Sequence, residues 1–415
     1  MMKRHFFFSG IGGAGMTPLA ELLLARQCQV TGSDEIASAN TEKLREMGAE
    51  ILIGHAAANL PEKVDVFIYS SAVPEENPER REAAKRHIPQ LRRGEFLAEF
   101  AENYRRVAAV SGSHGKSSTS AMLSHILRRA NLHPGVMIGA KVYGAPDAEN
   151  GLGDDIFVCE ADESDGTHTR LSPYLGIVPN VDGDHAWSVG GEEKLRENFR
   201  TFARKSQHLI SGDSPLCRKL FADHPDVHFI PPAAGDFAGF LGFQAIDAQL
   251  AVEGAKFFGV KEDFAIQSLA DFGGVERRMH IAARQNDVTI VEDYAHHPVE
   301  VAASIEWMRK KFPGAHLELV FQPHRYARLE RYFDDFVRVL STADSVIVTD
   351  VFAAWSESGV RGGKELAEKI PGAIYGGGNF SEIAAMAKKN PARPLVVAVI
   401  GAGSVNQTLD GLLFP

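Results

Sequence analysis

Twice in this chain an apolar run breaks at a glycine-rich turn and passes directly into a helix-forming stretch, near residues 5–25 and again near 106–129. A strand that ends where a helix begins needs a sharp turn. Glycine permits that turn and lets a ligand approach the backbone closely. The free N–H groups and the dipole at the helix start both favour an anion at the turn. Strand-like runs alternate with amphipathic ones along the rest of the chain, so the pattern predicts an α/β protein built on parallel sheets covered by helices.

The first turn is Gly10-Ile11-Gly12-Gly13-Ala14-Gly15, after HFFFSG and before TPLAELLLARQ. The next strand, CQVTGSD, closes on Ser33 and Asp34, about 20 residues on, the spacing of a G-x-G-x-x-G diphosphate turn with its acidic partner. Taken alone, this motif suggests a nicotinamide or flavin enzyme, but it specifies a diphosphate better than it specifies a dinucleotide. VDVFIYSS continues the same sheet and ends in Ser70 and Ser71. A charged, helix-forming stretch from Pro78 to Arg106 then leads to RVAAVSGS, which restarts the arrangement and sets a first domain boundary near 105.

The second turn reads Ser111-Gly112-Ser113-His114-Gly115-Lys116-Ser117-Ser118. A full Walker A motif has glycine where Val110 stands, so this is a shortened GxxGK[ST] form. The shortening leaves its chemistry: backbone N–H groups can cradle phosphates, Lys116 can neutralise their oxygens, and the Ser117 hydroxyl can ligate Mg²⁺. DIFVCEAD runs into Glu160-Ala161-Asp162-Glu163-Ser164-Asp165, four carboxylates in six positions at a strand end, where a divalent cation would offset their repulsion. YLGIVPNV ends in Asn180-Val181-Asp182-Gly183-Asp184-His185. After QHLISG, residues 222–245 are rich in Pro, Gly, Asp and Phe and read as irregular connection.

A third block follows Gly273-Gly274-Val275-Glu276-Arg277-Arg278, with strands at VTIVEDY, LELVFQP, SVIVTDV and LVVAVIGAG, and a second boundary near 270. Two of these strands lead into Asp293-Tyr294-Ala295-His296-His297 and Gln322-Pro323-His324-Arg325-Tyr326-Ala327-Arg328. Adjacent histidines diverge and no third ligand recurs at helical spacing, so a metal site is not indicated there. Arg325 and Arg328, three apart, would face one way on a helix start and suit a carboxylate or phosphate.

At about 150 residues per domain, 415 residues make roughly three domains. With 44 basic against 54 acidic residues, a net charge of −10, there is no basic footprint for nucleic acid or an anionic membrane, so phosphate ligands need local cations. The three cysteines, Cys28, Cys159 and Cys217, form no CxxC and suit a reducing compartment. No run approaches the roughly 18 apolar residues of a membrane span, and the opening apolar run breaks too soon for a leader. The expectation is a cytoplasmic multidomain enzyme.

The order GIGGAGM, SSAVPEENPE, SGSHGKSST, EADESD, NVDGDH, GVERRM, DYAHHPVE, FQPHRY resembles the Mur ligases over nearly the whole chain. The resemblance implies three domains: a Rossmann-like UDP-sugar domain (1–105), a shortened central P-loop ATPase-like α/β domain (106–270), and a Rossmann-like C-terminal domain (271–415). Within the family, the motifs are most like those of members that join L-alanine to UDP-N-acetylmuramate using ATP and Mg²⁺, through an acyl phosphate. Those two small molecules would be the partners, with no nucleic acid or membrane. Gly12, Gly13, Ala14, Gly15, Ser33, Asp34, Ser70 and Ser71 would hold the UDP-sugar, making the first turn a UDP site. Gly112, Ser113, His114, Gly115, Lys116, Ser117, Ser118 and Asp293 would hold the nucleotide, and Ser117, Glu160 and His185 the metal. Tyr294, His297, Arg325 and Arg328 would line the alanine and muramoyl end, and Arg278 would reach the reacting phosphate or carboxylate. Lys116, His185, Arg278 and His297 would thus be the catalytic set, drawn from separate domains that must close.

The chain departs from the family pattern in places. The adenine-reading G-x-H-N-x-x-N-A-L-A-A stretch is best matched by Gly242-Phe243-Gln244-Ala245-Ile246-Asp247-Ala248-Gln249-Leu250-Ala251-Val252, with alanine at both asparagine positions. The connection from Asp213 to Gly242 is short, as if central strands were missing. The late GAGDI-like motif reads Gly401-Ala402-Gly403-Ser404-Val405, without its acid. These departures keep open a relative that adds another amine, such as a murein tripeptide, or a degenerate UDP-sugar-binding protein. An NAD-dependent oxidoreductase would account only for residues 5–34.

Overall fold

The computed structural model describes residues 4–143, 151–183, 186–354 and 359–413. It is an α/β protein of two compact units, Met1–Phe240 with Gln244–Gly273, and Leu241–Phe243 with Gly274–Pro415.

The first unit holds two sheets. One comprises β1 (His5–Ser9), β2 (Gln29–Asp34), β3 (Glu50–Ile53), β4 (Val66–Tyr69) and β5 (Gln90–Arg92), all parallel, in the order β3-β2-β1-β4-β5. The other comprises β6 (Arg106–Val110), β7 (Gly135–Met137), β8 (Ile156–Glu160), β9 (Leu175–Val178), β10 (His208–Gly212) and β11 (Val227–Ile230), in the order β11-β10-β9-β6-β8-β7. One apolar cluster runs through both sheets, joining Phe6, Phe8, Phe96 and Phe100 to Phe157, Phe199 and Phe202. Tyr104 and Phe157 stack within it, ring centres 4.7 Å apart. The stretch read as irregular therefore contains a strand, β11, which pairs with β10 from Leu209↔Val227 to Gly212↔Ile230.

The second unit has one sheet: β12 (His280–Gln285), β13 (Val288–Asp293), β14 (His316–Phe321), β15 (Ser345–Thr349), β16 (Ile374–Gly377) and β17 (Leu395–Ile400), ordered β12-β13-β17-β14-β15-β16. Only β12 is antiparallel. Its central strands are covered on both faces: Val396, Ala398 and Ile400 pack into one cluster and Leu395, Val397 and Val399 into the other. Such double burial explains why β17 reads as an uninterrupted apolar run.

Buried polar groups mark where this packing is strained. His168 is fully buried against Phe199 and Phe202, and among the described residues neither ring nitrogen has a hydrogen-bond partner. Burial pushes its pKa down to about 4. The unfolded chain protonates this ring near 6.5 and the folded chain does not, so stability is lost as pH falls through the window from about 6.5 to about 4. We expect His168→Leu, close in volume, to raise the unfolding free energy by about 1 kcal/mol at pH 7.5. At pH 5.5 the gain should be about 1 kcal/mol larger, measured by denaturant titration at both pH values. An equal gain at the two pH values would refute the titration argument.

Candidate functional site

Topology gathers the motifs. In the central sheet β6 lies between β8 and β9, so the glycine turn after β6, the acidic loop after β8 and the Asn180 loop after β9 emerge side by side. Carboxyl ends of adjacent parallel strands are where open α/β sheets bind ligands. In the first sheet β1 likewise lies between β2 and β4, which bring Asp34 and Ser70 to the first turn.

The first turn folds over the end of β2. Gly10 takes φ +79°, and the N–H groups of Gly10 and Ile11 donate to the Ser33 carbonyl at 2.8 and 3.0 Å. Gly12 N–H donates to Asp34 Oδ2 at 2.8 Å, and a Cβ on Gly12 would sit 3.0 Å from that oxygen. Gly13 and Ala14 run on from there, the Gly13 carbonyl accepting from Thr17, while the Ala14 carbonyl lies 3.4 Å from where a Gly139 Cβ would be. Ser33 is buried, and its hydroxyl donates to Glu79 Oε2 at 2.7 Å, so Ser33 shapes the turn from beneath and presents its side chain to Glu79. Glu79 also accepts from Ser9 and Asn59, at 2.7 Å each. Ser70 packs on Gly10, with its Cβ 3.1 Å from where a Gly10 side chain would begin, and Ser71 is exposed.

The second glycine turn is braced from two sides. Ser113 N–H donates to the Asn180 carbonyl at 3.2 Å, His114 N–H to Asn180 Oδ1 at 2.9 Å, and Asp182 N–H to Ser113 Oγ at 2.9 Å. His114 Nε2 meets Asp182 Oδ2 at 2.6 Å. A Cβ on Gly112 would lie 2.9 Å from the Asn180 carbonyl oxygen, and one on Gly115 would lie 2.3 Å from Asp247 Oδ1. Only glycine leaves this cradle open, and the helix Lys116–Arg129 starts directly behind it.

Lys116 folds back over the loop, donating to the Gly112 carbonyl at 2.6 Å and lying 3.1 and 2.9 Å from the two oxygens of Glu163. Burial works to lower its pKa, but Glu163, then Asp162 and Glu160, outweigh burial and raise it, so the ammonium stays charged. Glu163 is fully buried, and burial pushes its pKa up to about 7 even beside Lys116. Asp162 is held below the usual carboxylate range: burial opposes this, and Arg93 and Lys116 outweigh it.

Ser117 and Ser118 are buried in the first helical turn, and Glu160 Oε1 accepts from Gly139 N–H at 2.9 Å. His185 and Asp184 lie outside the described residues. Among the described residues no three His, Cys, Asp or Glu side chains gather as a ligand set. The Ser117 hydroxyl and the Glu160 carboxylate are hard oxygen donors at the ends of adjacent strands beside the second glycine turn, and that donor chemistry would suit Mg²⁺.

In the second unit β17 separates β13 from β14, so Asp293 and the Gln322–Arg325 loop flank Gly401 and Gly403. Asp293 is buried, accepts from Ser304 Oγ and from Met279 N–H at 3.4 Å, and has its pKa raised by burial. The guanidinium carbons of Arg277 and Arg278 each lie 5.0 Å from the Tyr294 ring centre, a cation–π arrangement. Glu292 is pushed up to about 7 by burial, although Arg277 Nε lies 3.2 Å away. His297 is the buried N-cap of the helix Pro298–Lys311 and meets the Tyr332 ring edge-on at 4.5 Å. Arg325 is at φ +67°, just before the helix Tyr326–Arg331, while Arg328 is buried and 3.1 Å from His324 Nδ1.

Three site residues carry no sequence signal of their own. Arg93 stands in LRRGEF without a diagnostic spacing, and Glu163 is one of four acids in its loop. Asp247 is an unremarkable acid within a helix. Only the packed fold shows that each adjoins a glycine turn.

The sequence model of the Mur ligase family, catalytic domain, matches residues 5–105, and that of the Mur ligase, glutamate ligase domain, matches residues 277–403. A UDP-N-acetylmuramate–L-alanine ligase of Sorangium cellulosum is 35% identical, with 99% of this chain and 96% of the relative covered. One from Aquifex aeolicus is 34% identical, over 99% of this chain and 97% of the relative. The first alignment spans 457 positions against 415 residues here, so this chain is gapped relative to it. Among solved structures, the UDP-N-acetylmuramate-alanine ligase of Thermotoga maritima superposes with a TM-score of 0.84 at 23% identity, covering 99% of this chain and 98% of that one. With identity of this level over the whole length, and the three-domain fold in common, the chain belongs to the Mur ligase family.

Proposed function

We propose that this chain joins L-alanine to the carboxylate of UDP-N-acetylmuramate, converting ATP to ADP and phosphate. The observation that carries the reading is the pairing, in one compact unit, of a diphosphate turn with a second glycine cradle holding a part-buried, charged lysine beside an acidic loop. The full-length relatives that bear this activity in their names support it.

The carboxylate attacks the terminal phosphorus of ATP and ADP leaves. The amine then attacks the acyl carbon and phosphate leaves. Both steps bring anions together, so the protein's task is positioning and charge screening. Lys116 would exchange the Gly112 carbonyl and Glu163 for phosphate oxygens, while the N–H groups of Gly115 to Ser118, at the start of the helix, would hold the rest of the chain of phosphates. Ser117, Glu160 and His185 would hold Mg²⁺, which when bound supplies further screening of phosphate charge. Asp293 would hold the nucleotide from the second unit, and Arg278, Tyr294, His297, Arg325 and Arg328 would receive the amino acid and the muramoyl carboxylate. Domain limits near 105 and 270, and a cytoplasmic location where ATP and nucleotide sugars occur together, complete the reading.

The test is phosphate release from ATP with UDP-N-acetylmuramate present. It should depend on L-alanine, with less than a tenth of the rate when alanine is omitted. Release that requires a murein tripeptide instead would favour a relative adding a different amine. No release, with UDP-N-acetylmuramate still bound, would favour a degenerate binding protein.

A further inference from the structure

We infer that Arg93 is a positioning residue that couples the diphosphate turn to the acidic loop beside the phosphate lysine. The inference deepens the proposed function and rests on its placing of a UDP-sugar at the first turn.

Arg93 opens the helix Arg93–Ala101, immediately after β5. Its side chain is only 11% exposed, and it is held differently at its two ends. Nη2 donates to Asp165 Oδ2 at 2.5 Å, to Asp162 Oδ2 at 3.3 Å and to Thr167 Oγ1 at 3.4 Å, and makes all the hydrogen bonds this guanidinium forms among the described residues. Nη1 lies over the glycine turn: a Cβ on Gly15 would be 2.6 Å from Nη1 and 2.9 Å from Cδ. Gly15 is thus required for the arginine to lie there, and the charge sits at the helix start where a diphosphate would be received.

The tethered end reaches the other substrate. Asp162 is two residues from Glu160 and adjacent to Glu163, whose carboxylate grips Lys116. Arg93 and Lys116 share the field of Asp162, so a change in how tightly Arg93 holds this loop changes the charge felt at Lys116. A diphosphate on the first turn would draw Nη1 and compete with Asp162 and Asp165 for the cation. The acidic loop would then be freer to adjust around Lys116 and an incoming nucleotide. A guanidinium presents donors on two nitrogens in a fixed fork and serves both anions at once, whereas an ammonium is a single point charge. The arrangement therefore makes binding at one turn depend on occupancy of the other, and such coupling is reciprocal.

Calorimetric titration of UDP-N-acetylmuramate, with and without a non-hydrolysable ATP analogue plus Mg²⁺, reads that coupling directly. The wild-type protein should show at least about a fivefold difference in affinity between the two conditions. Arg93→Lys should weaken UDP-N-acetylmuramate binding about tenfold and bring the difference below twofold. Asp165→Asn, which leaves Arg93 in place and loosens its tether, should keep UDP-N-acetylmuramate affinity within threefold and still lose the coupling. Because Asp165→Asn keeps the cation, it carries the test even where Arg93→Lys fails to fold. Coupling that persists in either folded variant, or no coupling in the wild type, overturns the inference and leaves the proposed reaction standing. A wild-type protein that does not bind UDP-N-acetylmuramate at all overturns both.

Discussion

Lys116→Ala is expected to cut phosphate release at least about a thousandfold, while UDP-N-acetylmuramate binding changes less than threefold. The asymmetry follows from placement. Lys116 is held against Gly112 and Glu163 at the central sheet, whereas the first turn draws its shape from Ser33, Asp34 and Ser70 on the other sheet of the same unit. Removing the ammonium removes a cation hydrogen-bonded to the cradle, and no other lysine or arginine donates to Gly112 among the described residues. It also leaves Glu163 with burial as its dominant influence, so that carboxyl should take up a proton on folding. A carboxyl whose folded pKa is raised above the unfolded value adds stability as pH falls, so the variant should lose less stability at pH 6 than at pH 8. Turnover within tenfold of wild type would remove Lys116 from the reaction.

The strands that the amino-acid pattern marks are the eleven interior ones, and the six it leaves unmarked, β3, β5, β7, β11, β12 and β16, are the sheet edges. The physical reason is burial. An interior parallel strand such as β8, IFVCE, is covered on both faces and is nearly all apolar. An edge strand such as β5, QLR, or β11, VHFI, is short and half-exposed, so no apolar run announces it. The site divides in a similar way. Residues whose backbone must do something unusual are legible: Gly10, Gly112 and Gly115 all sit at positive φ in turns that glycine motifs predict. Residues that act only through where the fold puts them, Arg93 and Asp247, are not.

Asp247 shows what the altered helix 243–256 does. It occupies the stretch where the family resemblance leads one to look for an adenine reader, yet here its buried carboxylate presses on Gly115 and accepts from Thr119 Oγ1 at 3.2 Å. Gly115→Ala should therefore fail for two separable reasons. The residue sits at φ +84°, which costs an alanine about 1–2 kcal/mol, and its Cβ would stand 2.3 Å from Asp247 Oδ1, well inside contact distance. We expect the Michaelis constant for ATP to rise more than a hundredfold and the melting temperature to fall by several degrees. Adding Asp247→Ala removes the collision but not the backbone strain, so the double variant should recover part of the stability and only a minor part of the ATP affinity. The difference between the two recoveries separates sterics from conformation, since the paired residues are in contact and their effects should not add. If Gly115→Ala alone bound ATP as the wild type does, phosphates would have to be held elsewhere than in the turn between β6 and the helix Lys116–Arg129.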